Sequence, residues 1–345
     1  MTDASNIALN TTFDYFYPDT SQDHKDCTFH FQPVLYCFAF SLGLVGNVAV
    51  ILVLMLYKRL LTTTDVYLFN LAISDLLFVF SLPFLAYSIK DKWVFGNLMC
   101  KILSTIYFVG FYSNIFFITV ISIDRYLAIV HVVFALRVRT VKCGFIFSVF
   151  VWILAIFISI PNFLFHKVLN DSSCALAYPE EHKQFWKLFS YFKINIFGFI
   201  SPLSILTFCY LHIIRSLQNC KCKKKKCAIR LIILVVVVFF LFWTPYNIVI
   251  FLHIWHTLDF DLGNCRLDEA LDITHTLTMV HCCLNPIIYT FAGEKFRMYL
   301  CLLINKPLTC LCRSGIFGSY KRSLTHNASS TSRISRGSIS SETVL

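Results

Sequence analysis

Leu231-Ile-Ile-Leu-Val-Val-Val-Val-Phe-Phe-Leu-Phe242 is apolar on every face that a helix would present. A helix in a soluble core keeps a polar stripe, whereas one that is hydrophobic all round sits in a large core or in lipid. Comparable stretches recur along the chain, and seven spans are expected at about 33–57, 66–89, 97–130, 143–165, 187–213, 229–256 and 268–292. Each reaches the roughly 20 residues needed to cross a hydrocarbon core about 30 Å thick. Strands of a membrane barrel alternate in polarity and are about half as long, so a barrel is excluded. Only helices close every backbone hydrogen bond within one such segment. The predicted fold is an all-α membrane protein, a seven-transmembrane helix bundle.

Composition agrees. Of the 345 residues 57% are hydrophobic and 14% charged, against roughly 45–50% and about 25% in soluble domains, which excludes an ordinary water-soluble enzyme. Disorder is excluded by an aromatic content of 17%. The net charge of +11 raises the question of nucleic acid, but long Phe, Leu, Ile and Val runs interrupt the basic residues and leave no continuous stripe for a phosphate backbone. Lys58 and Arg59, then Arg137, Arg139 and Lys142, then Arg215, Lys221, Lys223 to Lys226 and Arg230, then Lys295 and Arg297 all fall on one side of the seven spans. The positive-inside rule makes that side cytoplasmic and puts the amino terminus outside. Lys25, Lys90, Lys92, Lys167, Lys183 and Arg266 fall on the other side, mixed with Asp and Glu.

Residues 2–30 are polar and acidic and lack the basic-then-apolar opening of a cleaved signal peptide, so the first span is expected to act as its own uncleaved signal. Asn10-Thr-Thr12 and Asn170-Asp-Ser172 are glycosylation acceptors on the outer side, whereas Asn327-Ala-Ser329 falls inside. Cys27, Cys100, Cys174 and Cys265 also lie outside, one in each segment, where the compartment is oxidising. Four cysteines allow three pairings. Cys100 with Cys174 would pin the loop after the fourth span across the bundle mouth, and Cys27 with Cys265 would tie the tail to the last outer loop; four unrelated thiols are the plainer reading, but one cysteine in each outer segment favours the two bridges. A zinc site at Cys220, Cys222 and Cys227 is opposed by the four lysines between the last two. Near the bilayer, Cys301, Cys310 and Cys312 suit palmitoylation.

Polar groups inside spans are costly and mark function. Asp75 is the clear acid at mid-depth, and Asn47, Asn114 and Asn285 are polar groups placed to face it across the bundle. Simple hydrogen bonding between helices would also account for them. Pro83, Pro161, Pro202, Pro245 and Pro286 interrupt five different spans, each removing a backbone donor and permitting a bend.

Asn70-Leu-Ala-Ile-Ser-Asp75, Asp124-Arg-Tyr126 at the end of the third span, Trp152, Phe242-Trp-Thr-Pro245 and Asn285-Pro-Ile-Ile-Tyr289 occur in order, each on its own span. Together they resemble the rhodopsin-like G-protein-coupled receptors. Asp124-Arg-Tyr-Leu-Ala-Ile-Val-His131, Val133-Phe-Ala-Leu136, His281-Cys-Cys-Leu-Asn-Pro286 and Gly293-Glu-Lys-Phe296 are similar to chemokine receptors, over a stretch from about Cys27 to Phe296. Thr64-Asp-Val-Tyr-Leu68, Ser74-Asp-Leu-Leu-Phe-Val-Phe-Ser81 and Trp93-Val-Phe-Gly96 point to the CC branch, nearest its type-8 receptor.

The resemblance implies three regions: an extracellular acidic, Tyr-rich tail over 1–32, the bundle over 33–292, and a cytoplasmic tail over 293–345 that opens with a short amphipathic eighth helix. In the tail, Tyr15 and Tyr17, sulfated in this family, sit among Asp14, Asp19, Asp23 and Asp26 and would attract basic chemokines. Tyr36, Trp93, Tyr107 and Tyr246 match positions that line the ligand cavity. Leu85 stands where many members carry Trp, and His275 where the family usually has Glu. An imidazole never carries negative charge, so Asp272, three residues earlier on the same helical face, is expected to supply it.

Signal transmission is implied for Asp124, Arg125, Tyr126, Tyr210, Trp243, Pro245, Asn285, Pro286 and Tyr289, with Arg125 meeting a heterotrimeric G protein of Gi type. A sodium ion is expected near Asp75, with Asn47, Asn114 and Asn285 as its polar surroundings; no other cofactor and no structural metal is expected. The Ser/Thr-rich stretch Ser323 to Thr343 suits receptor kinases and arrestin, and Glu342-Thr-Val-Leu345 suits a PDZ domain.

Other classes fit less well. A transporter would show repeated halves around a midplane site, and no repeat is visible. An enzyme would need a catalytic constellation at one depth, and none is present. A scavenging, non-signalling chemokine receptor would carry a damaged Asp-Arg-Tyr segment, which is intact. Heavy use of Phe, Ile, Lys and Asn suits an AT-rich genome, as in a receptor copy carried by a large DNA virus such as a poxvirus and displayed on the host cell membrane; otherwise the expected location is the plasma membrane.

Overall fold

The computed structural model describes residues 32–169, 173–218, 223–258, 265–292 and 296–303. The chain divides into two compact units, Met1–Arg297 and Met298–Leu345. The first carries the bundle. In the second, residues 298–303 are helical, as the expected eighth helix requires. Tyr15, Tyr17, Asn10, Asn170, Cys27, Cys310 and Cys312 lie outside the described residues.

Helix α1 spans Gln32–Val53 and continues as a π turn over Leu54–Lys58. It ends where Arg59 and Leu60 take positive φ angles of 53° and 49°. The next helix starts three residues on for a local reason. Thr62 Oγ1 accepts from the Asp65 backbone N–H at 3.2 Å, while Asp65 Oδ2 accepts from the Thr62 N–H at 3.2 Å. This reciprocal box satisfies two donors that the first turn of α2, Thr63–Lys90, would otherwise leave open. Lys58 Nζ closes the corner on Asp65 Oδ1 at 2.8 Å.

Helix α3 (Gly96–Val130) is followed by the short α4 (Val132–Val138) and by α5 (Val141–Phe165). A hairpin of β1 (His166–Leu169) and β2 (Ser173–Leu176) then pairs antiparallel, with His166 opposite Leu176. The fifth span is α6 (Lys183–Asn195), a π turn at Ile196–Ile200 and α7 (Ser201–Gln218). Helices α8 (Lys223–Leu258) and α9 (Cys265–Ala292) complete the bundle.

Six of these helical segments are long and apolar enough to cross a membrane. The last, α9, has the length at 28 residues but carries Asp272, His275, His281 and Asn285 among its apolar positions. Polarity runs inside out. Val45, Phe157 and Leu241 are 71%, 69% and 65% exposed, whereas Asn47, Asp75 and Asn285 are each 1% exposed. That is the arrangement hydrocarbon solvent selects, since apolar surface costs nothing there and polar groups must find one another.

Cys100 at the head of α3 is bonded to Cys174 on β2, with Cα atoms 5.6 Å apart. The hairpin has a second tie to α3 through Val168 N–H and Asn97 Oδ1, 3.1 Å. The other expected bridge involves Cys27 and falls outside the described residues. The hairpin itself was not foreseen from the sequence, and the sixth helix starts six residues before the expected 229, because helical bonding continues past the apolar stretch.

Helices α2 and α3 approach closely at Gly110. A Cβ there would lie 2.8 Å from Phe78 N and 3.0 Å from Ser74 O, both backbone atoms that cannot rotate away. At Gly198 the added atom would meet only the far end of the Phe111 ring, at 2.9 Å. Gly110→Ala is therefore expected to destabilise the bundle by about 1–3 kcal/mol through overpacking, and Gly198→Ala by less; thermal unfolding of the two purified variants checks the order.

Candidate functional site

Near the disulfide-bearing end, α3, α8 and α9 bring three expected residues into one group. Tyr107 Oη and His275 Nε2 are 2.9 Å apart, and the rings of Tyr246 and His275 lie 5.5 Å apart, centroid to centroid. Tyr36, from α1, stands 3.5 Å from Thr276 Oγ1, which also accepts from Gln32 Nε2 at 3.2 Å. Thr276 Oγ1 in turn donates to the carbonyl of Asp272 at 2.7 Å, placing that residue one turn above. Trp93 is tied to the head of α3. Its indole N–H donates to Gly96 O at 3.0 Å, and its ring meets Phe95 at 5.1 Å, within an aromatic cluster that includes Phe84 and Tyr87. Leu85 is buried.

Deeper in the bundle Trp243 packs against Phe111 at 4.8 Å, Phe239 at 6.0 Å, Tyr246 at 6.1 Å and His281 at 6.2 Å. The chain of contacts from His275 through Tyr246 to Trp243 is thus unbroken. Trp243 lies two residues before Pro245, where α8 loses a backbone donor.

At mid-depth Asp75 accepts from Asn114 Nδ2 and, at 3.0 Å, from Asn285 Nδ2. The side-chain oxygens of both asparagines point to no protein donor. Carboxylate and amide oxygens are what a hard cation takes, so these three residues fit a sodium ion. Asn47 does not join them. Its Nδ2 donates to Gly43 O at 2.9 Å and Cys282 O at 3.2 Å. The physical reason is Pro286: it has no N–H to return to the carbonyl four residues back, and Asn47 supplies the missing donor. Among the described residues no group of three His, Cys, Asp or Glu side chains is placed to hold a metal.

The opposite end is organised around Asp124, 5% exposed. Arg125 Nη2 contacts Asp124 Oδ2 at 3.2 Å. The better-formed partner is Arg139, from the turn after α4, whose Nε reaches Oδ1 at 2.7 Å and whose Nη2 reaches Oδ2 at 3.1 Å. Thr64 Oγ1 adds a third donor at 2.9 Å. Arg125 Nε is buried without a partner. Tyr126 Oη bonds His131 Nε2 at 2.9 Å and its ring packs on Phe208, while Tyr210 Oη and Ser122 Oγ are 3.2 Å apart. Tyr289 lies on α9, and its side chain is outside the described residues; Cys301 is exposed.

Arg139 and Thr64 were not singled out from the sequence. Arg139 lies 15 residues from Asp124 and registers there only as one more basic residue on its side of the membrane. The structure also explains Trp152, whose indole N–H donates to Asn70 Oδ1 at 2.9 Å while Asn70 Nδ2 donates to Ser148 Oγ at 3.3 Å, joining α2 to α5. Arg139→Ala is expected to lower stability by about 1–2 kcal/mol, a buried-pair loss discounted for the partial exposure of Arg139. On an Asp124→Asn background the same substitution should cost little, and a double-mutant cycle by thermal unfolding measures the difference.

Comparison with known proteins bears on the same residues. The family model described as "7 transmembrane receptor (rhodopsin family)" matches residues 46–289, from the α1 position beside Asn47 to Tyr289. The chain is 52% identical over 292 residues to the human protein "C-C chemokine receptor type 4" (Homo sapiens), covering 82% of this chain and 81% of that one. The chain therefore belongs to the rhodopsin family of seven-transmembrane receptors and, within it, to the chemokine receptors, multi-pass membrane proteins that are not enzymes.

Proposed function

We propose that the chain binds CC chemokines at the disulfide-bearing mouth and activates a heterotrimeric G protein of Gi type at the Asp124 end, raising calcium and directing chemotaxis. The observation that carries this reading is the continuous contact path from His275 and Tyr107 through Tyr246 to Trp243, directly above the Pro245 bend. In this reading the amino terminus is extracellular in the plasma membrane, and the acidic tail with Tyr15 and Tyr17 captures the basic body of the chemokine. Its leading segment enters among Tyr36, Tyr107, Tyr246 and His275, with Asp272 as the carboxylate for a basic group. Trp93 shapes the rim.

Ligand contact at Tyr246 favours a state in which α8 pivots at Pro245 and its inner end moves outward. Arg125 then leaves Asp124 for the carboxyl-terminal helix of the G protein, while Tyr210 and Tyr289 stabilise the opened packing. A sodium ion held by Asp75, Asn114 and Asn285 would neutralise the buried carboxylate and hold α2, α3 and α9 in the resting arrangement. Phosphorylation within Ser323 to Thr343 recruits arrestin, palmitoylation at Cys301, Cys310 and Cys312 fastens the tail to lipid, glycans occupy Asn10 and Asn170, and the final carboxylate offers a PDZ contact.

The motifs around Asp75 and Trp93 support a type-8-like ligand choice, and the Phe- and Ile-rich composition supports a viral copy displayed on a host cell membrane. The test is a panel of CC chemokines applied to transfected cells, with binding, calcium release and uptake recorded together. Binding with calcium release supports the reading; binding and uptake without calcium makes the chain a scavenger instead. Arg125→Ala is expected to abolish nucleotide exchange while chemokine affinity stays within about threefold, since the residue touches no ligand. Asp75→Asn should remove any dependence of chemokine affinity on sodium, measured against potassium at equal ionic strength.

A further inference from the structure

Lys193 belongs to none of the groups above. It lies on α6 inside the fifth span, is 5% exposed, and forms no ion pair among the described residues. Its ammonium reaches the Ile158 carbonyl at 3.3 Å and stands 5.7 Å from the Phe108 ring centroid and 5.9 Å from that of Tyr112. That carbonyl lies on α5 one residue past Phe157, whose own carbonyl Pro161 leaves short of a helical donor. One carbonyl and two aromatic faces leave the positive charge unmatched. An uncompensated charge at such depth is expensive, and its retention points to a role.

Two buried donors stand close by. Asn162 and Tyr112, 2% and 0% exposed, leave Nδ2 and Oη without partners. Asn162 follows Ile158 by one helical turn, and the Tyr112 ring is one of the two faces that Lys193 meets. His166, just beyond the end of α5, is kept neutral: burial pushes its imidazole down to about 4, helped by the nearby Lys193 charge and opposed by its bond to the Asn162 carbonyl. The group also adjoins the mouth. The Phe108 ring meets Tyr107 edge-on at 5.1 Å, and Tyr107 is the partner of His275.

We propose that Lys193 is the receiving end of a carboxylate subsite between α3, α5 and α6, beside Tyr107, with Asn162 and Tyr112 as flanking donors, Phe108 as the apolar wall, and a small aryl carboxylic acid as its ligand. The acid would supply the acceptor oxygens these donors lack and the negative charge the ammonium lacks, while its ring lies against the aromatic faces. The subsite does not depend on which G protein, if any, the chain activates.

The experiment uses the full chain in lipid nanodiscs and follows thermal unfolding as phenylacetate, its neutral analogue phenylacetamide, or chloride is added at equal ionic strength. Phenylacetate is expected to raise the unfolding temperature in a saturable way, and the other two are not. Lys193→Met should fold as well as the parent, since an apolar replacement removes an unmatched charge, yet weaken phenylacetate by at least about tenfold. Tyr112→Phe keeps the lysine and should weaken it by about threefold to tenfold, which tests the subsite even if the lysine variant fails to fold. An equal response to the amide or to chloride, or a phenylacetate response unchanged in both variants, overturns the proposal.

Discussion

Hydrocarbon cannot hydrogen-bond, so every backbone group within the bundle must find its partner in protein, and each proline in a spanning helix leaves one carbonyl short of a donor. Much of the interior chemistry follows from meeting that demand. Asn47 serves the carbonyl of Cys282, four residues before Pro286. Lys193 adds a donor from α6 to the Ile158 carbonyl, one residue past the Phe157 carbonyl that Pro161 leaves short. Ahead of Pro202 a π turn at Ile196–Ile200 changes the helical register before the donor is lost. Polar side chains that would burden a soluble core are thus placed between helices, where they join α1 to α9 and α5 to α6.

A continuous line of aromatic contacts runs through the upper half of the same bundle. Aromatic rings transmit displacement through contact because dense interiors yield by discrete repacking rather than by compression. The line from His275 to Trp243 ends two residues before Pro245, where α8 lacks one of its own backbone hydrogen bonds. Asp75 lies between the ends of the bundle, joined to α3 and α9 by two amides whose oxygens remain available.

Legibility from sequence varied with the kind of interaction. Seven spans were readable because apolar length is a local property, and the helices follow the expected stretches closely even in α9, where polar residues weaken the signal. The bond between Cys100 and Cys174 was readable as one of three pairings, since topology places both on one side. Side-chain partners were less accessible. Asn47 was expected to face Asp75, and nothing in the one-dimensional pattern says that Pro286 would draw its amide away instead. Arg139 was hidden for a different reason: its role arises from the α4 turn that folds it back on Asp124, and many basic residues share its side of the membrane. Lys193 was overlooked as one polar residue in a long apolar stretch, because its burial depends on which way α6 faces.

The clasp that Arg139 and Thr64 make on Asp124 has a consequence for how the inner end can move. With both carboxylate oxygens already engaged, the departure of Arg125 strands no anion in a medium that would punish it. Among the described residues the guanidinium next door has one ion pair, at 3.2 Å, to an oxygen that Arg139 and Thr64 also engage. A carboxylate with a standing counter-ion turns what would be a latch into a bearing.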